Sequence, residues 1–470
     1  MTRHIFRIVI SERAILALSI SWFLVLGNQS QSLAGAVERL YVANNGRNDI
    51  AVVEIPGFKI LKNIVVGAQP HGLAAPASGN VLYVTTEGSR EVHWINPYTN
   101  EIYKSVTVGV HPENLASTPD GKFLYVPCDD GHYWVLDART GALITKIATG
   151  GDPHNTVPSP DGRYMYLAPH DTPPEVWIVD TQDNHAVVGK IPFPGGVRPV
   201  AISADGTRLY ANSGSLHGFY VADVAARKVL YTVNADEPDG SVRYHHGLAI
   251  RPDQGEVWTA GHYDTAWSFA FRRTPEPPVQ VANIAGRGAY WISFSRTGKY
   301  GYLSLTRERF DTATNTRIGV IRVVDAHTHQ KVTDVVMGPS TAPKRTLSLL
   351  LSDAGAFQFS SDSFNAVEGG VATIVVSRSG AAKGNVSVRY RLQNITAEAQ
   401  KDYRATTGIL SWADGDSSNR TFQIQALCDQ SAEKTEAVKL VLENPTGGAV
   451  LAGRIDASLF IADSNTCPEH

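Results

Sequence analysis

The chain has 470 residues, 43% of them hydrophobic, and single cores stop growing near roughly 250 to 300 residues, so two or more domains are expected. Its 42 Lys and Arg nearly balance 45 Asp and Glu, for a formal net charge of -3, so no broad field favours nucleic acid or an anionic membrane. The three cysteines, Cys128, Cys428 and Cys467, are too few for a disulfide-stapled scaffold.

Residues 1–36 read as a signal peptide. Arg3, Arg7 and Arg13 precede an apolar run from Ala14 to Gly27, and Ala34-Gly35-Ala36 supplies small residues for cleavage. A bilayer-spanning helix needs about 20 residues, more than this run offers. No stable membrane span is expected once the chain begins near Val37. The product is expected to be exported: periplasmic, secreted or at the cell surface.

Beyond the leader an aromatic recurs in short β-like runs, at Tyr41, Tyr83, Tyr125, Tyr166, Tyr210, Trp258 and Tyr302, with spacings of 42, 42, 41, 44, 48 and 44. Such a period, with strand-like alternation inside each unit, marks a circular array of four-stranded blades. Four residues before most of these aromatics stands a turn glycine: Gly79, Gly121, Gly162, Gly206 or Gly298. Each supplies the positive φ of a tight hairpin between the first two strands of a unit. Gln254 holds that place in the sixth unit. Tyr133–Asp137, Val176–Asp180 and Arg322–Asp325 read as third strands. The first unit lacks an innermost strand, and Pro343–Leu351 is placed to supply it and close the ring. The runs Leu40-Tyr41-Val42-Ala43-Asn44-Asn45, Leu82-Tyr83-Val84-Thr85-Thr86 and Pro70-His71-Gly72-Leu73-Ala74 resemble the YVTN propeller family over residues 37–351. Seven recurrences and the missing inner strand predict a seven-bladed β-propeller, six blades continuous and one composite.

If innermost strands line the axis, residues in one register form a ring. Twelve before each aromatic stand His71, Glu113, His154, Arg198, His246 and Tyr290, and motif matching adds Lys344. None is aliphatic, whereas Leu73, Leu115, Val200 and Leu248 beside them are. Neutral imidazoles and a carboxylate suit a transition metal such as Zn, Cu or Fe. With Arg198 and Lys344, the same set suits an anionic small molecule or acid-base catalysis; a water-filled polar channel is the third alternative. His111, two before Glu113, shares its face. His245 should turn away toward the blade interface, and His170 with Asp171 falls in a loop near the rim. Cys128 reads as a buried small side chain in a strand. No phosphate-cradling Gly-Lys-Ser/Thr loop, Gly-x-Ser-x-Gly elbow or Cys-x-x-Cys-His is present.

From Ala356 onward the repeat ceases and the strands alternate. After a linker at 352–356, residues 357–467 resemble a Calx-beta domain. The resemblance rests on Phe364-Asn365-Ala366-Val367-Glu368-Gly369-Gly370, Lys401-Asp402-Tyr403, Glu433-Lys434-Thr435-Glu436, Val441-Leu442-Glu443-Asn444-Pro445 and Phe460-Ile461-Ala462-Asp463. It implies an immunoglobulin-like β-sandwich that binds Ca²⁺ at one pole through Glu368, Asp402, Asp429, Glu433, Glu436 and Asp463. Cys428 stands where an acidic residue is usual, and Ser464 and Asn465 replace a closing acidic run. The resemblance places Cys428 and Cys467 at that pole, where a disulfide is expected in an oxidising compartment.

The expected whole is all-β: an exported binding or interaction protein with an axial ligand or metal pocket, a calcium-binding module and an unidentified small-molecule or protein ligand. The alternative is an exported enzyme, a lyase or oxidoreductase, using the His/Glu channel. It rests on the resemblance of YVTN blades to haem d1 and amine dehydrogenase propellers.

Overall fold

The computed structural model describes residues 36–464 except 171, 239–244, 263–264 and 430. The leader therefore lies, but for Ala36, outside the described residues, as do Asp171 and Cys467. Among the described residues every regular element is a strand, and no helix is long and apolar enough to cross a membrane.

Among the described residues before 352 the chain forms seven four-stranded antiparallel sheets, six of them contiguous in sequence. The second, for example, comprises Pro70–Ala74, Leu82–Thr86, Glu91–Asn96 and Glu101–Thr107. The first is composite. Pro343–Leu351 pairs antiparallel with Val37–Asn44, setting Tyr41 opposite Leu347. The hairpin glycines adopt the left-handed conformation, with φ of 62° at Gly79 and 74° at Gly162. Gln254 adopts it too, at φ 65°. Left-handed backbone costs a residue with a Cβ roughly 1–2 kcal/mol. The Gln254 side chain offsets this, because its Oε1 accepts from Ala204 N at 2.9 Å and from Arg273 Nη1 at 2.9 Å.

The faces of neighbouring sheets bury apolar clusters. Tyr83 and Trp94 pack with Leu115 and Leu124; Tyr210 and Phe219 pack with Leu248 and Phe271. The seventh sheet returns to the first, burying Tyr302, Ile321 and Val323 against Leu40, Val42 and Val53. The sheets therefore circle an axis. Some of the recurring tyrosines also tie neighbours together: Tyr41 OH donates to Pro97 O at 3.1 Å, and Tyr210 OH accepts from Arg273 Nε at 2.8 Å. On outer strands Lys104, Lys146 and Lys190 lie over the rings of Trp94, Trp134 and Trp177, placing charge on otherwise pairable edges.

Beyond Ser352 two sheets stack face to face. One holds Arg420–Gln425, Val371–Ser379, Ala356–Phe359 and Val450–Leu451; the other holds Ser363–Val367, Asp456–Ala462, Glu436–Glu443, Val386–Asn394 and Gly408–Trp412. Phe357, Phe359, Trp412, Phe422, Leu440 and Leu459 fill the space between them. Ala356, expected in the linker, opens the first of these strands. This unit is seated on the second sheet: Asn96 Nδ2 donates to Gln358 Oε1 at 3.1 Å, Asn80 Nδ2 to Leu451 O at 2.9 Å, and Ser352 N to Tyr98 OH at 3.0 Å.

Candidate functional site

Register brings the polar residues of the inner strands to equivalent places. Leu347, Ala74, Ala116, Val157, Ala201, Ala249 and Ser293 lie opposite the seven recurring aromatics. Three residues before each stand Lys344, His71, Glu113, His154, Arg198, His246 and Tyr290. The ladder slips at this level, between Pro70 and Leu73, Pro153 and Asn155, His245 and Leu248, and Ala289 and Trp291. Such bulges re-aim a side chain. Here they coincide with His71, His154, His246 and Tyr290.

The side chains meet. Glu113 Oε2 is 3.0 Å from His71 Nδ1 and 3.6 Å from His154 Nε2, and His71 Nε2 is 3.2 Å from Tyr290 OH. The His154 and His246 rings are 6.2 Å apart, His246 and Tyr290 4.2 Å, and Lys344 Nζ lies 4.2 Å above the Tyr290 ring. His71, His154 and His246 are buried to 6% exposure or less. Arg198 is close enough for its charge to bear on His154 and His246.

Burial alone would raise the Glu113 carboxyl, but His71, His154 and Lys344 outweigh it and hold Glu113 well below the usual carboxylate range. Burial depresses His154 to about 3, with Arg198 adding to the effect and Glu113 opposing it. Burial and His262 push His246 well below its ordinary value. The cluster thus holds an ionised carboxylate near the His154 and His246 imidazoles that burial keeps neutral, the protonation states that coordinate metal. His154 Nδ1 and His246 Nε2 are buried without a hydrogen-bond partner. Leaving such atoms unmatched costs about 1–3 kcal/mol each, which a bound ligand would relieve.

A second polar ring escaped the register count. Four residues after the recurring aromatics stand Asn45, Glu87, Asp129, His170, Gly214, His262 and Thr306. Glu87 Oε1 approaches His71 Nδ1 at 3.6 Å while its Oε2 accepts from Asn45 Nδ2 at 3.2 Å. The His170 ring lies 5.6 Å from that of His154, and His262 lies 5.0 Å from His246. Burial, with Arg198, Lys344 and Arg307, lowers His262 to about 3. The same counting from each aromatic, carried forward instead of back, exposes this ring. Ligand atoms of His71, Glu87 and Glu113 all lie within 4.8 Å of one another. His245 turns into the blade interface, stacked on Phe269 and 4.7 Å from the His217 ring. Cys128 is a buried free thiol whose ionisation burial opposes.

At one pole of the C-terminal unit six acidic residues crowd together. Ligand oxygens of Asp402, Asp429 and Glu433 lie within 4.8 Å of one another, and Glu433 N donates to Asp463 Oδ2 at 3.3 Å. Burial together with Asp463, Asp429 and Glu433 raises the Glu368 carboxyl. Burial and Asp402 push Glu436 up to about 7. Lys401, not anticipated, sits among them, its Nζ 2.9 Å from Glu433 Oε1 and 3.5 Å from Asp402 Oδ1. Glu433 Oε2 is buried without a hydrogen-bond partner. Crowded carboxylates that hold protons and leave an oxygen unmatched fit a hard divalent cation with six to eight oxygen ligands. The expected partner of Cys428 lies outside the described residues, and Cys428 is not free.

Residues 352–465 match the Calx-beta domain. A stretch of 92 residues is 33% identical to adhesion G-protein coupled receptor V1 of Danio rerio, covering 20% of this chain and 2% of the receptor. Among solved structures, Kuenenia stuttgartiensis hydrazine synthase superposes with a TM-score of 0.52 at 18% identity, over 62% of this chain and 92% of that one. Dihydro-heme d1 dehydrogenase NirN in complex with DHE gives a TM-score of 0.49 at 17% identity, over 66% and 74% of the two chains. The likeness to hydrazine synthase is one of fold, a β-propeller.

Proposed function

We propose that the chain is an exported metal-binding interaction protein. In this reading residues 37–351 are a seven-bladed propeller of YVTN type, and 357–467 are an immunoglobulin-like sandwich that binds calcium. The observation that carries it is the convergence of His71, Glu87 and Glu113 within coordination reach, with buried, unmatched imidazole nitrogens around them. His71 and His154 would offer nitrogen, and Glu87 and Glu113 oxygen, to a borderline cation such as Zn²⁺. No turnover is required.

At the sandwich pole Asp402, Asp429 and Glu433 would hold Ca²⁺, displacing the Lys401 ammonium and releasing the proton that Glu436 retains. A bridge from Cys428 to Cys467 would brace that pole.

The channel is tested by elemental analysis of full-length protein, purified without a histidine tag, incubated with Zn²⁺ and gel-filtered in calcium buffer. Wild type is expected to retain zinc. Changes to residues around metal ligands commonly cost about 10–100-fold in affinity, so loss of a direct ligand in His71→Ala should weaken retention by more than about 100-fold. Wild-type protein that elutes free of zinc, copper and iron would sink the metal reading.

A further inference from the structure

The metal reading accounts for Glu113 as a ligand beside His71 and Glu87, but not for what lies on its other side. His111, Glu113 and Asp129 form a second group whose ligand atoms also lie within 4.8 Å of one another. His111 Nδ1 is 3.4 Å from Asp129 Oδ2. We propose that Glu113 bridges two cations, one held with His71 and Glu87 inside the channel and a second held with His111 and Asp129 at its mouth. This rests on the metal reading of the channel.

Three observations bear on it. A carboxylate has two oxygens with lone pairs enough for two cations, and Glu113 Oε2 is buried, 3.0 Å from His71 Nδ1 and 3.6 Å from His154 Nε2 on the channel side. Glu87 and Asp129 hold the same place in consecutive repeats, four residues after Tyr83 and Tyr125, so the second repeat and the third each contribute a carboxylate at that level. The two groups together carry three carboxylates, from Glu87, Glu113 and Asp129. With one divalent cation these carboxylates and the Lys344 ammonium that acts on Glu113 balance, and a second cation makes the site positive, the excess taken up by bound hydroxide or an anionic ligand.

The two positions differ in access. The side chains of His71 and Glu87 are 2% and 8% exposed, whereas those of His111 and Asp129 are 46% and 39% exposed. The inner cation would be enclosed by protein. The outer one, with fewer protein ligands and solvent on one side, keeps coordination positions open for water or an oxyanion. Donor chemistry of one imidazole and two carboxylates selects a borderline or hard divalent ion such as Zn²⁺ or Mn²⁺.

The test is Zn²⁺ stoichiometry of the full chain in calcium-saturated buffer, read by elemental analysis, with Cu²⁺ paramagnetic resonance as a second readout. Wild type is expected to hold two zinc ions in the propeller, His111→Ala and His71→Ala one each, and Glu113→Gln none. Two Cu²⁺ ions sharing a carboxylate should give a coupled, broadened signal in wild type and an isolated-ion signal in His111→Ala. His111 is half exposed, and Asp129→Asn, which keeps shape, serves as the second variant should His111→Ala unfold. One zinc ion, unaffected by His111→Ala or Asp129→Asn, would overturn the second cation and leave the channel site standing. Two ions of which Glu113→Gln removes only one would overturn the bridge. No zinc at all would remove both readings.

Discussion

In the inner-strand cluster an ionised Glu113 stands near His154 and His246, which burial keeps neutral, whereas at the sandwich pole carboxylates crowd one another and two are pushed toward protonation. The channel assembles its groups from several repeats, on inner strands or, for Glu113 and Arg198, just ahead of them, where pairing fixes the count. The pole assembles them from strand ends and connecting loops of one unit. Acid therefore acts on the two with opposite sign. His154 and His262, at about 3 in the folded ring against an ordinary 6.5, bind fewer protons folded than unfolded, so their contribution is present above 6.5 and is lost as pH falls. Glu436, raised from 4.5 to about 7, binds more; without calcium its contribution is present below 4.5 and is lost as pH rises through about 7.

The largest effect that would separate the two regions is Trp412→Ala. Trp412 is 2% exposed and stacks with Phe357 at 4.7 Å, and its removal should cost the sandwich about 3–5 kcal/mol in chemical denaturation. Zinc retention by the propeller should be unchanged; its loss would show that the two regions do not stand apart. A smaller effect is expected from Tyr290→Phe, which removes the hydroxyl 3.2 Å from His71 Nε2. Zinc affinity should fall about 10–100-fold in competition titration, and calcium-dependent melting should not move. The smallest is the pH response. In chelator, going from about pH 7 to about pH 5 should raise the sandwich transition and lower that of the propeller, each by a few degrees in calorimetry. Transitions that move together would break the contrast.

What the sequence disclosed follows the same division. The recurring aromatic and the turn glycines are visible because every unit must bury the same residue and reverse at the same place, and Gln254 shows that the turn survives without glycine where its amide is held. The inner-strand positions are countable because pairing fixes them. Glu87 and Asp129 lie just past the ends of paired strands, where alternation no longer signals direction, although their distance from the aromatic is as regular. Lys401 is legible only in three dimensions. Its number among the acids depends on how a loop folds back toward Glu433, which no periodicity encodes.

The composite first sheet sets an order of events. Among the described residues Val37–Asn44 is the earliest strand of the seven-sheet array in chain order, and Pro343–Leu351, its neighbour, is the last. Until that latch is synthesised the nascent disc has a gap, and the site drawn from Lys344 to Tyr290 is incomplete. Ala356 begins the next unit only a few residues later, so the closing strand lies between the two units, and a product cut short before residue 343 would lack it.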